Sequence, residues 1–122
     1  MKRKLLIVLS ISLVALFFTS CTEEESIDFD QTLLIGKWKS GTVYERYDSD
    51  KSGATWDTSD DVTEEEAQEF TWTLIKDQLE QIHIIQNGGI APKTYVVTTL
   101  TASTLIYEDS VTRIAKTFNK QN

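Results

Sequence analysis

Apolar and polar residues alternate with a period of two along most of the chain after Ile35, which is the pattern of half-buried β-strands. In the first alternating segment, one face carries Trp38, Ser40, Thr42 and Tyr44, and the other carries Lys37, Lys39, Val43 and Glu45. The charged face belongs in solvent and the aromatic face in the core. The segment therefore predicts one half-buried strand that includes both Trp38 and Tyr44.

Further segments have the composition of strands and are separated by polar turns. The predicted strands are 54–57, Phe70 to Leu74, Leu79 to Gln86, Tyr95 to Thr101, Thr104 to Glu108 and Val111 to Phe118. Turns are predicted at 48–53, 76–78, 102–103 and 109–110, and a longer loop that opens at Asn87 holds the single proline, Pro92. The adjacent Ile84 and Ile85 interrupt the alternation and predict a β-bulge or burial on both faces.

Two segments carry helical signals. Residues 30–34 predict one short helical turn, capped by Asp28 or Asp30. In residues 59–69, Thr63 and Glu66 have the spacing of a capping box, which predicts one short helix of about two turns.

Strands in sequential hairpins, with almost no helix, predict an all-β domain. Because open sheet edges invite aggregation, such a meander closes into a barrel or folds into a sandwich. Both architectures remain open at this point, and either would carry one short capping helix.

The N-terminus has the organisation of a secretory signal. Lys2, Arg3 and Lys4 precede an apolar run, 5–18, which is shorter than the ~20 residues that a helix needs to cross a bilayer. Cys21 is the only cysteine and follows the small residues of the cut site, which resembles the bacterial lipoprotein signal. The resemblance implies that residues 1–20 are removed and that Cys21 is lipid-modified, although Phe18 stands where the family usually carries leucine. The alternative is an ordinary cysteine behind a plain signal peptide.

The residues behind Cys21 predict a flexible acidic tether over 21–33. Its triplet Glu23, Glu24 and Glu25 resembles the export tag of some Gram-negative lipoproteins, and a solvated spacer is the alternative reading. Together the two resemblances imply a protein anchored by lipid to the outer membrane of a Gram-negative cell envelope. The export tag, if it is read, implies exposure at the cell surface.

Charge narrows the possible partners. The chain has 12 basic and 19 acidic residues, and removing residues 1–20 leaves nine basic and 19 acidic residues, a net charge of −10. Such a surface disfavours nucleic acid and anionic lipid, so we expect membrane contact through the acyl chains alone. The 102 residues that remain suffice for one domain, 34–120.

The segment Gly36-Lys37-Trp38, after a short helical turn, resembles the signature of the lipocalins and their calycin relatives. Residues 63–70, Trp72, Leu74, Tyr95, Val97, Leu100, Leu105, Tyr107 and 118–120 resemble small lipocalin-like lipoproteins of Gram-negative anaerobes. The resemblance, over roughly Leu34 to Lys120, implies an all-β fold: a small antiparallel up-and-down β-barrel with one short capping helix, in which Gly36 and Trp38 are structural. It also implies a basic residue of the last strand over Trp38, for which Arg113, Lys116 and Lys120 are the candidates. The short chain and the missing C-terminal helix depart from the family.

Six aromatic residues on predicted inner faces are candidate ligand contacts: Tyr44, Trp56, Phe70, Trp72, Tyr95 and Tyr107. They serve equally well as the core of a barrel without a ligand. Asp48, Asp50, Ser52 and Gly53 begin like a calcium loop, but Ser59 stands where that loop needs glutamate, so an acidic turn is favoured.

The single histidine, His83, has no predicted nucleophile or metal ligands around it and is interpreted as a surface or core residue. The acidic stretch 57–69 is interpreted as a solvated face and not as a glycosidase pair. We therefore expect no catalytic residue, metal or cofactor.

The sequence favours a lipid-anchored, lipocalin-like binding module with a small apolar ligand in its barrel. The alternative is a ligand-free structural or interaction lipoprotein that binds an envelope partner or inhibits an enzyme through its loops. The ligand, the partner, the leaflet and the oligomeric state are not encoded in any recognisable pattern.

Overall fold

The alternating segments form eight antiparallel strands in the computed structural model, which describes residues 27–122. The strands are β1 (Gly36–Ser40), β2 (Val43–Tyr47), β3 (Ser52–Asp57), β4 (Gln68–Ile75), β5 (Gln78–Ile84), β6 (Ile90–Leu100), β7 (Thr104–Asp109) and β8 (Ala115–Gln121). Each strand pairs with the next, and β8 returns to pair with β1, so the sheet closes into a barrel. The predicted up-and-down barrel is confirmed. The predicted signal peptide, Cys21 and Glu23 to Glu25 lie outside the described residues.

The first predicted strand is in fact a hairpin. Gly41, with φ of +61°, and Thr42 form a two-residue turn between β1 and β2. The reversal pairs Trp38 with Glu45 and Lys39 with Tyr44, and directly opposite residues share a face of a sheet. Glu45 is therefore buried inside the barrel with Trp38, while Tyr44 lies outside with Lys39.

The starts of β6 and β8 differ most from the prediction, whereas the other strand boundaries shift by a few residues. Strand β6 begins at Ile90, so Pro92 lies within a strand and not in a loop. Its missing N–H is tolerated because this half of β6 pairs with β5 alone, and pairing with β7 begins only at Tyr95. Strand β8 begins at Ala115 and not at Val111, because the Asp109 carboxylate accepts hydrogen bonds from the two backbone N–H groups that follow Ser110 and so builds a turn there.

The irregular features also differ from the prediction. The β-bulge lies between Val97 and Thr99 on β6, whereas β5 simply ends at Ile84. In place of the two-turn helix there is one 3-10 turn at Thr58–Asp60 and another at Glu64–Glu66. The Thr63 hydroxyl contacts the Glu66 side chain at 3.3 Å but caps no backbone N–H, so the helix is not propagated.

The segment before β1 covers one end of the barrel, which we call the closed end. It includes the predicted turn, a 3-10 turn at Gln31–Leu33 with the Asp30 side chain accepting from Thr32 N. Leu34 is fully buried and its carbonyl accepts the Trp38 indole N–H at 2.8 Å. Phe29 and Leu33 pack against the core as well, so this segment is part of the folded domain.

Lys120 of β8 ties this segment to the seam between the first and last strands. Its Nζ lies 4.6 Å from the Trp38 ring centroid and donates to the carbonyls of Leu33 and Ile35 at 3.2 and 2.5 Å. Gly36 has φ of +134°, and a Cβ there would lie 2.5 Å from Lys120 Cε. Glycine is thus needed at this position both for its backbone conformation and for the passage of the lysine.

Side chains fill the barrel from the closed end to about the middle. The buried apolar residues of this core include Trp38, Tyr47, Phe70, Trp72, Leu74, Leu79, Val97, Leu100, Leu105, Tyr107 and Phe118. Gly53 makes room for Phe70, whose ring occupies the space that a Cβ would need. Within residues 27–122 no helix has the length and apolar character to span a bilayer.

Replacing Lys120 by Met keeps the aliphatic stem and removes the charge-assisted donor. We expect the free energy of unfolding to fall by about 2 kcal/mol, because two backbone carbonyls lose their partner and the cation–π contact is lost. Urea denaturation measures the effect, and Lys76→Gln, in the exposed turn between β4 and β5, removes the same charge as a control. Equal stability of the two variants would contradict this role for Lys120.

Candidate binding site at the open end of the barrel

A buried carboxylate lies in the middle of the barrel. Glu45 is only 5% exposed, and its oxygens accept hydrogen bonds from the hydroxyls of Tyr47 and Tyr107 at 2.6 and 2.8 Å. The Gln81 side-chain amide lies 3.5 Å from the same carboxylate and donates to the Tyr47 hydroxyl at 2.6 Å. These donors replace the water that the carboxylate loses on burial.

The hydrogen-bonded chain continues from Gln81 towards the open end. Because the Gln81 amide nitrogen is committed to Tyr47, its oxygen faces Nε2 of His83 at 2.8 Å. Nδ1 of His83 lies 3.2 Å from the side-chain oxygen of Gln68, and the ring packs on Phe70 with centroids 5.1 Å apart. A connected polar cluster therefore extends from the interior to the exposed Gln68. We call it the Glu45 cluster: Glu45, Tyr47, Gln68, Gln81, His83 and Tyr107.

Burial controls the protonation of this cluster. It raises the pKa of Glu45 above its ordinary value, against the opposing effect of the hydrogen bonds from its donors. It lowers the pKa of His83 to about 4, and the nearby ammonium group of Lys93 adds to that effect. The imidazole is consequently neutral at physiological pH.

Above the Glu45 cluster, the barrel opens into a cleft of about 540 Å³. It lies between β6, the end of β7, the β7–β8 loop and the start of β8. Its walls are Pro92, Lys93, Thr94, Tyr95, Tyr107, Asp109, Ser110, Val111, Thr112, Ile114 and Lys116. The ring of Tyr95 stacks on Tyr107 with centroids 4.2 Å apart, and Tyr107 carries the hydrogen bond to Glu45. A single hydrogen bond, from the Tyr107 hydroxyl to Glu45, therefore connects the wall of the cleft to the buried carboxylate.

The structure divides the six predicted aromatic site residues into three pairs. Tyr95 and Tyr107 line the cleft. Phe70 and Trp72 point into the barrel but are buried in its core, where both rings pack edge-on against Tyr47. The remaining pair, Tyr44 and Trp56, was predicted on the inner face and lies on the outer face.

The outer pair forms a separate aromatic stack. Tyr44 and Trp56 are directly opposite on β2 and β3, with ring planes 2° apart and centroids 5.2 Å apart. The ammonium group of Lys37 lies 5.7 Å from the Trp56 ring. Glu64 pairs with Lys37 and Arg46, and these contacts, the Lys37 hydrogen bond foremost, lower the pKa of Glu64. The 58–67 segment is thereby held over the outside of the barrel, which explains how an outward-facing Trp56 is buried.

The carboxylates of the candidate calcium turn already bind side chains of the same chain. Asp48 pairs with Arg46 at 3.2 Å, and Ser52 donates to both Asp48 and Asp50. Within residues 27–122 no three His, Cys, Asp or Glu side chains are arranged to hold a metal ion.

The three candidates for the basic residue over Trp38 have separate positions. Lys120 occupies that position, whereas Arg113 pairs with Glu108 at 2.7 Å and Lys116 lines the cleft.

The sequence interpretation missed the roles of Glu45 and Gln81 and placed Glu45 in solvent. An available signal was the period of two from Leu79, which puts Gln81 and His83 on the same face as that buried leucine.

The low pKa of His83 predicts a specific loss of stability in acid. The unfolded chain takes up a proton near pH 6.5 but the folded chain only near pH 4, so the free energy of unfolding falls as the pH drops through this interval. At pH 4 the contribution amounts to about 3 kcal/mol. The raised pKa of Glu45 acts in the opposite direction, since its ionised form costs stability as the pH rises.

His83→Gln separates these two effects, because glutamine retains hydrogen-bonding capacity and does not titrate. Between pH 7 and pH 4, we expect urea denaturation to show a stability loss in the original protein that exceeds the loss in His83→Gln by about 3 kcal/mol. Parallel pH profiles for the two proteins would show that the imidazole is not buried in its neutral form.

Comparison with known proteins adds no assignment to this geometry. No protein-family model, curated protein or solved structure matches the chain.

Proposed function

We propose that this protein is a lipid-anchored binding module that holds a small ligand in the cleft at the open end of its barrel. The observation that carries the proposal is the stacked pair Tyr95 and Tyr107 in the wall of a 540 Å³ cleft. Tyr95 is half-buried and lies on the buried Tyr107, and a partly exposed aromatic ring next to a few polar groups is typical of ligand sites. The lipocalin-like sequence features support the same class of function.

The filled core shifts the proposed site from the barrel centre to its mouth. Large side chains such as Trp72 and Phe118 occupy the half of the barrel nearest the closed end, where both are buried. A ligand therefore binds above the Glu45 cluster and contacts the exposed Val111 and Ile114 of the β7–β8 loop.

The proposed anchor gives the barrel an orientation. The N-terminal segment meets the closed end, where Phe29 N donates to the carbonyl of Lys76 in the β4–β5 turn. The five residues between Cys21 and Ile27 span at most about 18 Å when extended. An acylated Cys21 would therefore hold the closed end near the membrane and present the cleft to the surrounding solution.

A second candidate function is interaction with an envelope protein, without a ligand. The observation that favours it is a group of apolar side chains outside the cleft at the same end of the barrel. Ile84 and Ile90 are directly opposite on β5 and β6 and are 48% and 67% exposed, and Ile85 adjoins them. Exposed apolar clusters of this kind mark protein contacts.

The binding proposal predicts that Tyr95→Ala weakens uptake of a neutral, polarity-sensitive dye such as 1-aminoanthracene by about tenfold, as loss of one ring contact should cost about 1.4 kcal/mol. Fluorescence titration of the full chain in phospholipid nanodiscs, with empty nanodiscs subtracted, measures the affinity. Tyr44→Ala is the matched control, because it truncates the same side chain on the outer face. The binding proposal is wrong if the original protein takes up no dye or if both variants bind it equally.

The anchoring proposal predicts that the protein incorporates a fatty-acid analogue through Cys21. Metabolic labelling followed by gel detection should show the label in the original protein and none in Cys21→Ser, since the chain has no other cysteine. An unlabelled original protein, or a label that persists in the variant, would contradict lipid attachment at this residue.

A further inference from the structure

The charge of the cleft differs in sign from the charge of the whole chain. The chain has a net charge of −7, yet the ionisable side chains that line the cleft, apart from the tyrosines, are Lys93, Lys116 and Asp109. Asp109 accepts backbone hydrogen bonds from Thr112 and Val111 at 3.0 and 2.8 Å, which lower its pKa and fix the carboxylate in the turn, and the ammonium group of Lys93 lowers the pKa further. The two lysines thus outnumber the one acid in a protein where acids prevail.

Strand register places both lysines on the inner side of the sheet. Lys93 is opposite Gln81, and Lys116 is opposite Tyr107, and both partners have buried side chains inside the barrel. Since directly opposite residues share a face, the two lysines flank the stacked tyrosines from β6 and β8. In residues 27–122 neither ammonium group has a carboxylate within salt-bridge distance.

The apolar part of the cleft adjoins these charges. Tyr95 is half-buried with its ring against Tyr107, while Val111 and Ile114 are 86% and 65% exposed. A ligand that covers these surfaces gains from burial of apolar area, on the order of 25 cal/mol per Å². The site therefore combines a flat apolar wall with positive charge on two sides.

The deep part of the cleft, next to Glu45, differs electrostatically from the lysine-bearing rim. Behind Tyr107, both oxygens of Glu45 already accept hydrogen bonds from Tyr47 and Tyr107, so the carboxylate has little capacity to bind a ligand cation. When ionised, the same carboxylate repels an anion, so the deep part of the cleft is unfavourable for an anionic ligand. An anionic group is thus confined to the rim, where Lys93 and Lys116 lie.

We propose that the cleft is selective for small organic anions that carry a carboxylate on an apolar or aromatic body. The carboxylate lies between the ammonium groups of Lys93 and Lys116, and the body packs against Tyr95, Val111 and Ile114. This inference rests on the proposed binding function and specifies its ligand class.

Three probes of equal size and different charge test the selectivity. 4-Phenylbutyrate, 4-phenylbutanol and 4-phenylbutylamine compete with the neutral dye for the full chain in zwitterionic nanodiscs. We expect the carboxylate to displace the dye at a concentration at least tenfold lower than the alcohol, and the amine to be the weakest. Raising the salt concentration should reduce the advantage of the carboxylate, because the lysines are exposed and their charges are screened.

The double variant Lys93→Gln and Lys116→Gln should remove the preference, so that the carboxylate and the alcohol displace the dye at similar concentrations. Lys76→Gln, at the other end of the barrel, makes the same substitution at one lysine outside the cleft and should keep the full preference. Thermal melting confirms that each variant is folded.

Two results would overturn the anion proposal while leaving the binding function intact. One is displacement of the dye from the original protein by the carboxylate and the alcohol at equal concentrations, and the other is a preference for the carboxylate that survives in the double variant. Failure of the dye itself to bind would instead remove the binding function on which the anion proposal rests.

Discussion

The barrel depends on a short seam that joins its first and last strands. Strand β1 pairs with β2 through five residue pairs but with β8 through only three. Lys120 compensates for this short seam, because a single ammonium group contacts the Trp38 ring of β1 and two carbonyls of the segment before it. That segment in turn places Leu34 over the closed end. Barrel closure and core coverage therefore depend on the same side chain, and Gly36 provides the space for it.

The Glu45 cluster divides the interior into two regions with different properties. Towards the closed end, aromatic and branched side chains form the buried core of the barrel. Towards the open end, a carboxylate, two amides and an imidazole are held by mutual hydrogen bonds, and within the part of the chain that the structure describes no buried side-chain nitrogen or oxygen is left without a partner. Such a network fixes the orientation of its members, since a misplaced donor leaves a buried acceptor unsatisfied. It orients Tyr107 by its hydroxyl, and Tyr107 supports Tyr95 in the cleft wall.

Charge is segregated along the barrel and between its faces. On the outer face Lys37 and Arg46 both pair with Glu64, which belongs to the acidic segment that folds back over β1 to β3, and Arg46 also pairs with Asp48. At the rim of the cleft the described residues offer Lys93 and Lys116 no comparable partner. Basic groups are scarce in this chain, so two of them beside an aromatic pair make the rim electrostatically distinct. This contrast supports the proposed preference for anionic ligands.

The sequence by itself determined an all-β fold of sequential antiparallel strands, because period-two alternation and turn residues are local properties. The barrel and the structural role of Gly36 and Trp38 were implied by the lipocalin-like segment Gly36-Lys37-Trp38 and not by the alternation. The sequence also placed Phe70, Trp72, Tyr95 and Tyr107 on inner faces. It did not determine the face of Tyr44 and Trp56, because a two-residue turn at Gly41 and Thr42 reverses the alternation and exchanges inside for outside.

Only the tertiary structure decided which part of the interior is filled and where the polar groups meet. Glu45, Gln81 and Tyr107 come from three separate strands, and their hydrogen bonds join residues up to 62 positions apart. On β5 the isoleucines at 82 and 84 face outwards while Gln81 and His83 face inwards, which inverts the usual relation of polarity and burial. The physical reason is that a buried polar side chain is stable only when partners from other strands satisfy it, and barrel closure alone brings those partners together.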